Sequence, residues 1–286
     1  MNGFEIKATT DVYCIIGHPI SHSLSPIIHN TAFKQYGIDA VYVAFDVKPE
    51  VLGTAVNGIK TLGIKGMTVT IPHKERIIPY LDSMDKIAQE IEAVNTVKNE
   101  GNKLIGYNTD VWGFLEPLKP YLTRLKEGSA ILVGAGGAGR AIAYSLRELK
   151  INKLFIANRT VDRGIQLVKY ASKLGLEANF IGFDEHTLNE KAKSADLIIN
   201  ATPLGMHGVG GSIPINYEHI NKNAIVYDII PNPLETPLLK EARKAGAITI
   251  SGVNMLVYQA VLAFKIWTGI YPDPKLLLDM VIKNLS

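Results

Sequence analysis

The sequence has little cysteine, no excess of charge of one sign and no long uninterrupted apolar run. Its single cysteine, Cys14, excludes an internal disulfide. Thirty Lys and Arg residues against 27 Asp and Glu leave a net charge of +3 without a block of like charges, so a general nucleic-acid surface is not indicated. The longest apolar stretch, at 255–264, contains Gln259 and falls short of the roughly 18 residues that a membrane helix needs. We therefore expect neither a nucleic-acid partner nor a membrane span.

A secretory leader pattern is missing as well. Residues 1–20 lack a basic start followed by an apolar core and a small-residue cleavage site, so we expect a cytoplasmic protein. The 286 residues are 47% hydrophobic and 20% charged, which is the composition of an ordinary globular protein. This length predicts two domains.

The first hundred residues alternate between strand and helix patterns. Apolar runs at 12–16, 41–47 and 66–71 predict strands, and apolar residues at helical spacing predict helices at 26–36 and 50–62. Parallel strands need crossovers that cover both faces of the sheet, so such strands are continuous apolar runs. We expect an α/β domain with a parallel sheet.

A second series of alternating strand and helix patterns starts at residue 130. Strands are predicted at 130–133, 153–157, 196–200 and 224–228, and helices at 141–149, 253–267 and 274–284. In the predicted helix at 253–267, apolar residues occupy nearly every face, which indicates a buried helix. We expect the last two helices to pack back on the first domain.

A glycine-rich loop, Gly134-Ala-Gly-Gly-Ala-Gly139, joins the first strand and helix of this second series. Gly134 allows a tight turn, Gly136 and Gly137 let the backbone approach a pyrophosphate, and Gly139 permits close packing of helix and strand. Another strand follows about twenty residues on, and this context predicts a dinucleotide site rather than a merely structural turn. The predicted cofactor contacts in the loop are Gly134, Ala135, Gly136, Gly137 and Ala138.

The end of the next predicted strand discriminates between NAD and NADP. An acidic side chain there would accept hydrogen bonds from the ribose 2′-hydroxyl of NAD, but the sequence has Asn158, Arg159 and Thr160. A guanidinium matches a 2′-phosphate through several charge-assisted bonds, and Arg163 is close enough to add a second one. NADP is therefore favoured. The alternative is that both arginines are solvated charges at a helix start, and Asp162 keeps NAD open.

Two serines, Ser23 and Ser25, lie between the first predicted strand and helix. Their hydroxyls and the exposed amides of the helix start could bind an anion such as a carboxylate. Helix capping by Ser25, directly before Pro26, explains the same residue equally well. Both interpretations stay open on residue type alone.

Three histidines, at 18, 22 and 29, lie in the same region. Pro19 and Pro26 break any helical face that would align them, and no carboxylate is spaced to complete a ligand set. We expect no metal.

Further polar residues follow the later strands of the first domain. Thr70 and Lys74 come after the third predicted strand, at the sheet edge where open α/β folds bind ligands. Asn95, Asn108 and Asp110 lie in or beside turns. Taken singly, each of these has an ordinary explanation as a surface charge, turn or cap residue. Their joint occurrence favours a pocket for a polyol.

Segments along nearly the whole chain resemble one known family in type and order. They lie at 22–30, 69–74, 93–96, 106–110, 134–139, 158–160, 200–206 and 252–259. The family is the shikimate dehydrogenases, enzymes of aromatic amino-acid biosynthesis that interconvert 3-dehydroshikimate and shikimate with NADPH. The resemblance implies a substrate-binding α/β domain at 1–108, completed by helices in 252–286, and a Rossmann-like NADP-binding domain at 109–251. The reaction is expected in the cleft between them.

The resemblance also implies roles for residues of the substrate domain. Ser23 and Ser25 would bind the carboxylate of shikimate, and Lys74 would carry the acid/base role. The ring hydroxyls and the carboxylate would be held by Thr70, Asn95, Asp110 and Gln259.

On the cofactor side, the resemblance implies that Arg159 and its neighbours bind the 2′-phosphate. Ile229 and Gly252 match positions that approach the nicotinamide.

The chain departs from the usual family pattern at three positions. Thr68 stands where Asn is usual, Glu92 replaces a Gly, and Pro231 replaces a common Tyr. The first two leave the matched catalytic residues in place. The missing Tyr hydroxyl puts one substrate or cofactor contact in doubt.

Reduction of a ring ketone needs a hydride at carbon and a proton at oxygen, and the nicotinamide supplies only the hydride. The hypothesis is that Lys74 gives this proton and takes it back in reverse, while Asp110 orients Lys74 and a substrate hydroxyl. A quinate dehydrogenase using NAD, and a non-catalytic dinucleotide sensor, are the alternatives. Retention of both Lys74 and Asp110 speaks against the sensor. The expected assembly is a monomer or a homodimer.

Overall fold

The computed structural model describes residues 6–285, which divide into two compact units. The described residues up to Thr109, with Gln259–Asn284, form the first unit, and Asp110–Tyr258 form most of the second. The predicted domain ranges, 1–108 with 252–286 and 109–251, stay a prediction, and residues 1–5 and 286 of them lie outside the described part.

In the first unit, six strands form one sheet in the order β2-β1-β3-β5-β6-β4 within residues 6–109. The strands are β1 (Asp11–Gly17), β2 (Ala40–Asp46), β3 (Gly66–Val69), β4 (Ser83–Met84), β5 (Thr96–Glu100) and β6 (Lys103–Tyr107). The helices are α1 (Ser25–Gln35), α2 (Leu52–Thr61) and α3 (Lys86–Ile91), with 3₁₀ turns at Pro49–Val51 and Ile78–Tyr80. The predicted strands and helices of this region are present, and the helix predicted at 50–62 begins with a 3₁₀ turn.

The parallel pairing expected for the three predicted strands is confirmed, but the complete sheet of this unit is mixed. Strand β1 is parallel to both β2 and β3, but β5 is antiparallel to β3 and to β6. A two-residue hairpin makes β5 antiparallel to β6: Gly101 and Asn102 both have positive φ, at 56° and 66°, between the paired residues Glu100 and Lys103. A turn of this kind matches the twist of adjacent strands and reverses the chain without a crossover.

The second unit has a parallel sheet in the order β12-β11-β10-β7-β8-β9. Its helices up to the last strand are α4 (Asp110–Leu115), α5 (Leu122–Leu125), α6 (Gly137–Glu148), α7 (Val161–Lys173), α8 (Glu185–Ala192) and α9 (Pro237–Lys244). The strands are β7 (Ser129–Val133), β8 (Lys153–Ala157), β9 (Glu177–Ile181), β10 (Leu197–Asn200), β11 (Ile225–Asp228) and β12 (Ile248–Ser251). 3₁₀ turns lie at Glu116–Tyr121 and Tyr217–His219. The predicted α/β class with a Rossmann-like sheet is confirmed, since the strand order reverses direction between β7 and β10.

Two helices follow β12: α10 (Gly252–Thr268) and α11 (Pro274–Leu285). The part of α10 in the first unit contributes Phe264 and Trp267 to an aromatic cluster with Phe33 of α1 and Tyr13 of β1. The Trp267 indole Nε1–H donates to the Val97 carbonyl at 3.0 Å, so this side chain is both packed and hydrogen-bonded. Within residues 6–285 no helix is both long enough and apolar enough to span a bilayer.

His29 is the polar member of that cluster. It is buried, stacks on Tyr42 with ring centroids 4.4 Å apart, and lies 5.0 Å from the ring of Trp267. Neither of its ring nitrogens has a hydrogen-bond partner among the described residues. Burial lowers the pKa of His29 from 6.5 to about 3, because an apolar surrounding disfavours the charged ring.

Candidate active site

The sheet of the first unit gathers polar residues at one edge. The carboxyl ends of β1, β3 and β6 lie on the same side, and the antiparallel strand β5 begins there. Consequently the loop 18–24 after β1 and the loop 70–74 after β3 lie at the edge where Asn95 precedes β5. Residue 108 follows β6 at this edge as well. The sequence analysis grouped Asn95 and Asn108 with Thr70 and Lys74 from their joint occurrence, and the strand pairing explains why these residues lie at one edge.

Asn95 is held in one orientation by its neighbours. Its side-chain oxygen accepts from the Thr109 amide at 2.7 Å and from the Thr96 hydroxyl at 3.2 Å, and its amide nitrogen donates to Thr109 Oγ1 at 2.9 Å. The same nitrogen lies 3.4 Å from Gln259 Oε1. Asn95 and Gln259 are both nearly inaccessible, so this cluster is a rigid set of hydrogen-bonding groups. The structure thus brings together two of the sequence-predicted residues and adds Thr109, which the sequence analysis did not single out.

Lys74 lies on a loop that is fixed at both ends. The Val94 amide donates to the Lys74 carbonyl at 2.8 Å, which ties this loop to the residue directly before Asn95. The His73 ring Nε2 lies 2.7 Å from the Val47 carbonyl, and the His73 amide donates to the Thr70 carbonyl at 2.8 Å. Lys74 and Thr70 are half-buried, so an ammonium and a hydroxyl stand on a loop whose backbone is well held.

The two serines occupy the start of α1. Helix α1 begins at Ser25, the residue before it is Leu24, and no side chain caps the helix. The Ser23 hydroxyl accepts from the Ser25 amide at 3.3 Å. The alternative of capping by Ser25 is therefore not what the structure has, and the Ser25 hydroxyl is buried beside the sheet edge.

The other predicted polar residues are also found near strand ends. Asp110 is the first residue of α4 and is buried. The Asn108 side chain donates to the Ala93 carbonyl at 2.8 Å, which is a structural role in holding the turn.

The glycine loop of the second unit lies between β7 and α6, next to the point where the strand order reverses. Gly134 has a φ of 114°, and a Cβ there would lie 2.6 Å from the Ala201 carbonyl oxygen, so only glycine fits. A Cβ on Gly139 would lie 2.6 Å from the Gly134 carbonyl, which is the predicted close packing. Gly136 precedes the first residue of α6, Gly137, and no heavy atom lies within 4 Å of its ideal Cβ position. This open space in front of a helix N-terminus fits the approach of a pyrophosphate.

The residues after β8 are arranged around the same loop. The Ala135 amide donates to Asn158 Oδ1 at 3.1 Å, and the Asn158 amide nitrogen donates to the Thr160 carbonyl at 2.7 Å. Arg159 and Arg163 are exposed at the start of α7. Both guanidinium groups are therefore exposed to solvent, as either a 2′-phosphate site or a pair of solvated charges requires.

Ile229 and Gly252 meet in the second unit. A Cβ on Gly252 would lie 2.2 Å from the carbonyl carbon of Ile229, so the start of α10 can approach this backbone only as glycine. The Ile229 amide donates to the Asn200 carbonyl at 3.1 Å, which anchors it beside β10. Two residues that the sequence analysis grouped only by resemblance are therefore in direct backbone contact.

The histidines of the first unit are not arranged as metal ligands. His18 Nδ1 lies 2.8 Å from an Asp46 oxygen, and His29 is in the aromatic cluster. Among residues 6–285 no group of three or more His, Cys, Asp or Glu side chains could hold a metal ion.

Comparison with known proteins matches three parts of the chain to models of one family. Residues 15–97 match the shikimate dehydrogenase substrate-binding domain, residues 118–207 match shikimate/quinate 5-dehydrogenase, and residues 252–279 match the shikimate 5′-dehydrogenase C-terminal domain. The chain belongs to the shikimate dehydrogenase family. A relative named shikimate dehydrogenase (NADP(+)), from Methanocaldococcus jannaschii, is 47% identical over 98% of this chain and 99% of its own.

Solved structures of the family agree with the fold. A crystal structure of a shikimate dehydrogenase in complex with NADP+ superposes with a TM-score of 0.91 at 45% identity, covering 100% of this chain and 99% of that chain. The shikimate dehydrogenase of Thermus thermophilus, solved with NADP(H) and shikimate, gives a TM-score of 0.85 at 36% identity. That match covers 96% of this chain and 99% of the other.

One departure from the usual shikimate dehydrogenase pattern has a visible conformational consequence. Glu92, where a glycine is usual, ends α3 in the left-handed conformation with φ 56° and ψ 39°. Glycine adopts this conformation without a steric penalty, whereas a side chain with a Cβ does not. The residue is tolerated because it lies at a helix end, one of the places where the chain needs this conformation.

Proposed function

We propose that this chain catalyses the reversible, NADPH-dependent reduction of 3-dehydroshikimate to shikimate. One observation carries the proposal: the loop bearing Lys74 is hydrogen-bonded, at 2.8 Å, to the residue directly before Asn95. A proton-bearing group and a rigid amide that suits a ring hydroxyl are thereby held at the same sheet edge. The family relationship supports the same reaction.

The substrate is bound by two kinds of group. The hydroxyls of Ser23 and Ser25, at the start of α1, donate to the carboxylate. The ring hydroxyls and the carboxylate are held by the side chains of Thr70, Asn95, Asp110 and Gln259. The hydrogen bonds from Thr96 and Thr109 hold the Asn95 amide in advance, so little side-chain freedom is lost when the substrate binds.

Lys74 is the acid/base group. In reduction, the carbonyl oxygen of 3-dehydroshikimate becomes a hydroxyl, and the Lys74 ammonium gives it the proton. In oxidation, the Lys74 amine takes the proton from the same hydroxyl. Asp110 orients Lys74 and a neighbouring hydroxyl. When bound, NADPH supplies the hydride that the carbonyl carbon receives, which no side chain could provide.

The cofactor is held by the second unit. The backbone of Gly134, Ala135, Gly136, Gly137 and Ala138 would hold the pyrophosphate at the N-terminus of α6. Asn158, Arg159, Thr160 and Arg163 bind the ribose and its 2′-phosphate. The anchored backbone of Ile229, with Gly252, would contact the nicotinamide end of the cofactor.

The proposed enzyme works in the cytoplasm as a monomer or a homodimer.

The Cys14 thiol takes no part in the proposed reaction. Burial raises its pKa to about 12, so the thiol stays protonated and unreactive.

Steady-state kinetics on shikimate and quinate, each with NADP+ and NAD+, test the proposal. We expect the highest kcat/KM for shikimate with NADP+. A preference for quinate with NAD+ would instead identify a quinate dehydrogenase, and tight NADP+ binding without turnover of either acid would identify a dinucleotide sensor.

A further inference from the structure

Tyr42 is a buried tyrosine of β2 whose hydroxyl reaches two other hydroxyls of the first unit. It is 1% exposed, and its Oη donates to Thr68 Oγ1 on β3 at 2.7 Å. Burial raises the pKa of Tyr42 well above 10, while hydrogen bonds from Thr68 and Ser25 act in the opposite direction. Ser25 is 2% exposed and Thr68 is 5% exposed. The three hydroxyls therefore form a buried group.

The sheet register explains how one side chain makes these contacts. Tyr42 pairs with Tyr13 on β1, and Thr68 pairs with Ile15 on the same strand. The Tyr42 side chain thus extends across β1 towards the carboxyl edge of the sheet. There it reaches Thr68, whose partner on β1 lies two residues beyond the partner of Tyr42. This is the edge at which Ser25 begins α1.

Helix α1 holds Tyr42 at two further points. The His29 ring stacks on the Tyr42 ring at a centroid distance of 4.4 Å and an interplanar angle of 24°. The Asn30 side chain accepts from the Tyr42 amide at 2.8 Å and donates to its carbonyl at 2.9 Å. Because Ser25 is one helical turn before His29, the tyrosine and the serine are fixed by the same helix.

We propose that Thr68, Tyr42 and Ser25 form a hydroxyl relay that positions the Ser25 proton towards the carboxylate of the substrate. Each hydroxyl has one donor hydrogen and two acceptor lone pairs. When a carboxylate takes the Ser25 proton as a hydrogen bond, Tyr42 donates to Ser25 Oγ and Thr68 donates to Tyr42 Oη. Tyr42 and Thr68 are positioning residues in this arrangement, which rests on the proposed function and on Ser25 as a carboxylate ligand.

The physical advantage of the relay lies in its burial. Hydrogen bonds in a chain polarise one another and are stronger in a poorly solvated site than in water. A donor whose acceptor is a charged group contributes more than a neutral pair. The Tyr42 hydroxyl therefore acts on the binding of the negatively charged carboxylate and leaves the reaction at the ring carbonyl unchanged.

The test compares Tyr42→Phe with the wild-type enzyme on two substrates, shikimate and its uncharged methyl ester, with NADP+. Since a hydrogen bond to a charged group is involved, we expect the KM for shikimate to rise about 10-fold, with kcat changed less than about 2-fold. The KM for methyl shikimate should change less than about 2-fold, because the ester carries no charge for the relay to act on.

Three further variants serve as controls. Tyr13→Phe removes a hydroxyl from a tyrosine in the same sheet and should leave both KM values unchanged. Thr68→Val should raise the KM for shikimate, and Thr68→Ser, which keeps the hydroxyl, should restore it. The double variant Tyr42→Phe with Thr68→Val should show no larger rise in the KM for shikimate than Tyr42→Phe alone, because both changes interrupt one relay.

The outcomes separate the relay from simple packing. Equal rises in KM for shikimate and its ester would show a loosened core and overturn the relay, as would an unchanged KM for shikimate. A fall in kcat as large as the rise in KM would also contradict it. Failure of the wild-type enzyme to oxidise shikimate would overturn the proposed function itself, and with it the relay's role at a carboxylate.

Discussion

The sheet of the second unit is parallel throughout, whereas the sheet of the first unit changes direction at β5. In the second unit each functional group follows directly from a strand end: the loop 134–139 after β7, Asn158 after β8 and Ile229 after β11. In the first unit Asn95 comes before a strand, and it lies at the same edge as Thr70 and Lys74 only because β5 runs in the opposite direction. A parallel sheet thus places a site by local sequence order, and a mixed sheet places it through its strand pairing.

The replacement of Lys74 by methionine sharpens this comparison most strongly. Because Lys74 moves the proton in the proposed reaction, Lys74→Met should lower kcat by about 10³-fold. The second unit is untouched, so NADP+ affinity measured by fluorescence titration should stay within about 2-fold of wild type. Lys86→Met, at a lysine whose side chain is 88% exposed, is the control and should leave kcat unchanged. Near-normal turnover by Lys74→Met would remove this residue from the mechanism.

Substitutions of two glycines in the loop at 134–139 test the second unit, where the proposed site follows directly from a strand end. Gly134→Ala places a methyl group 2.6 Å from a carbonyl oxygen at a φ of 114°, and should cost about 2–4 kcal/mol of unfolding free energy. Gly136→Ala meets no neighbouring atom within 4 Å, so it should leave the stability within about 0.5 kcal/mol and weaken NADP+ binding. Urea denaturation and cofactor titration of both variants give the readings. Equal stability of the two would contradict the assigned geometry.

The pH dependence of stability should reveal the buried His29 of the first unit. The pKa of His29 is about 3 in the folded chain and about 6.5 in the unfolded chain, so the unfolded state binds the proton first. Stability therefore falls as the pH drops below 6.5. His29→Phe keeps an aromatic ring without a titrating group. Its free energy of unfolding, relative to that of wild type, should therefore rise by about 2 kcal/mol when the pH is lowered from 7 to 5.

Denaturant titrations at both pH values measure this difference. Phe33→Leu, at a member of the same aromatic cluster that does not titrate, should change the stability by the same amount at both pH values. A pH-independent difference between His29→Phe and wild type would mean that His29 does not titrate as its burial implies.

The smallest expected effect concerns two glutamates in the left-handed conformation, one in each unit. Glu92 has a φ of 56° and Glu127 a φ of 62°. Glycine relieves the strain of a Cβ at such a position, so Glu92→Gly and Glu127→Gly should each raise stability by about 0.5–1 kcal/mol. Thermal unfolding of the two variants measures this, and a loss of stability in either would show that the glutamate side chain contributes more than its conformation costs.

Much of the fold follows from local sequence. The apolar run of β1 and the loop 134–139 identify their elements because short-range sterics and burial determine them. The hairpin at Gly101 and Asn102 was missed, although a two-residue turn of this type has a local signal. That omission made the first sheet parallel in the prediction.

The candidate site shows the same division. Asn158 and the two arginines were predicted as cofactor ligands from position alone, since they follow a strand of a recognisable parallel unit. Thr109 and Tyr42 could not be singled out, because a threonine in a turn and a tyrosine in a strand have ordinary structural explanations. Their importance comes from partners 14 and 26 residues away along the chain.

By itself the sequence indicated the α/β class, the dinucleotide loop and the preference for NADP, because glycine geometry, charge and strand periodicity are local properties. The family was indicated by the resemblance of motifs along the chain. Tertiary structure alone decided the orientation of the Asn95 amide, the anchoring of the Lys74 loop and the burial of three hydroxyls around Tyr42. Those features depend on the register between strands, and register is set by the packing of the whole sheet against its helices.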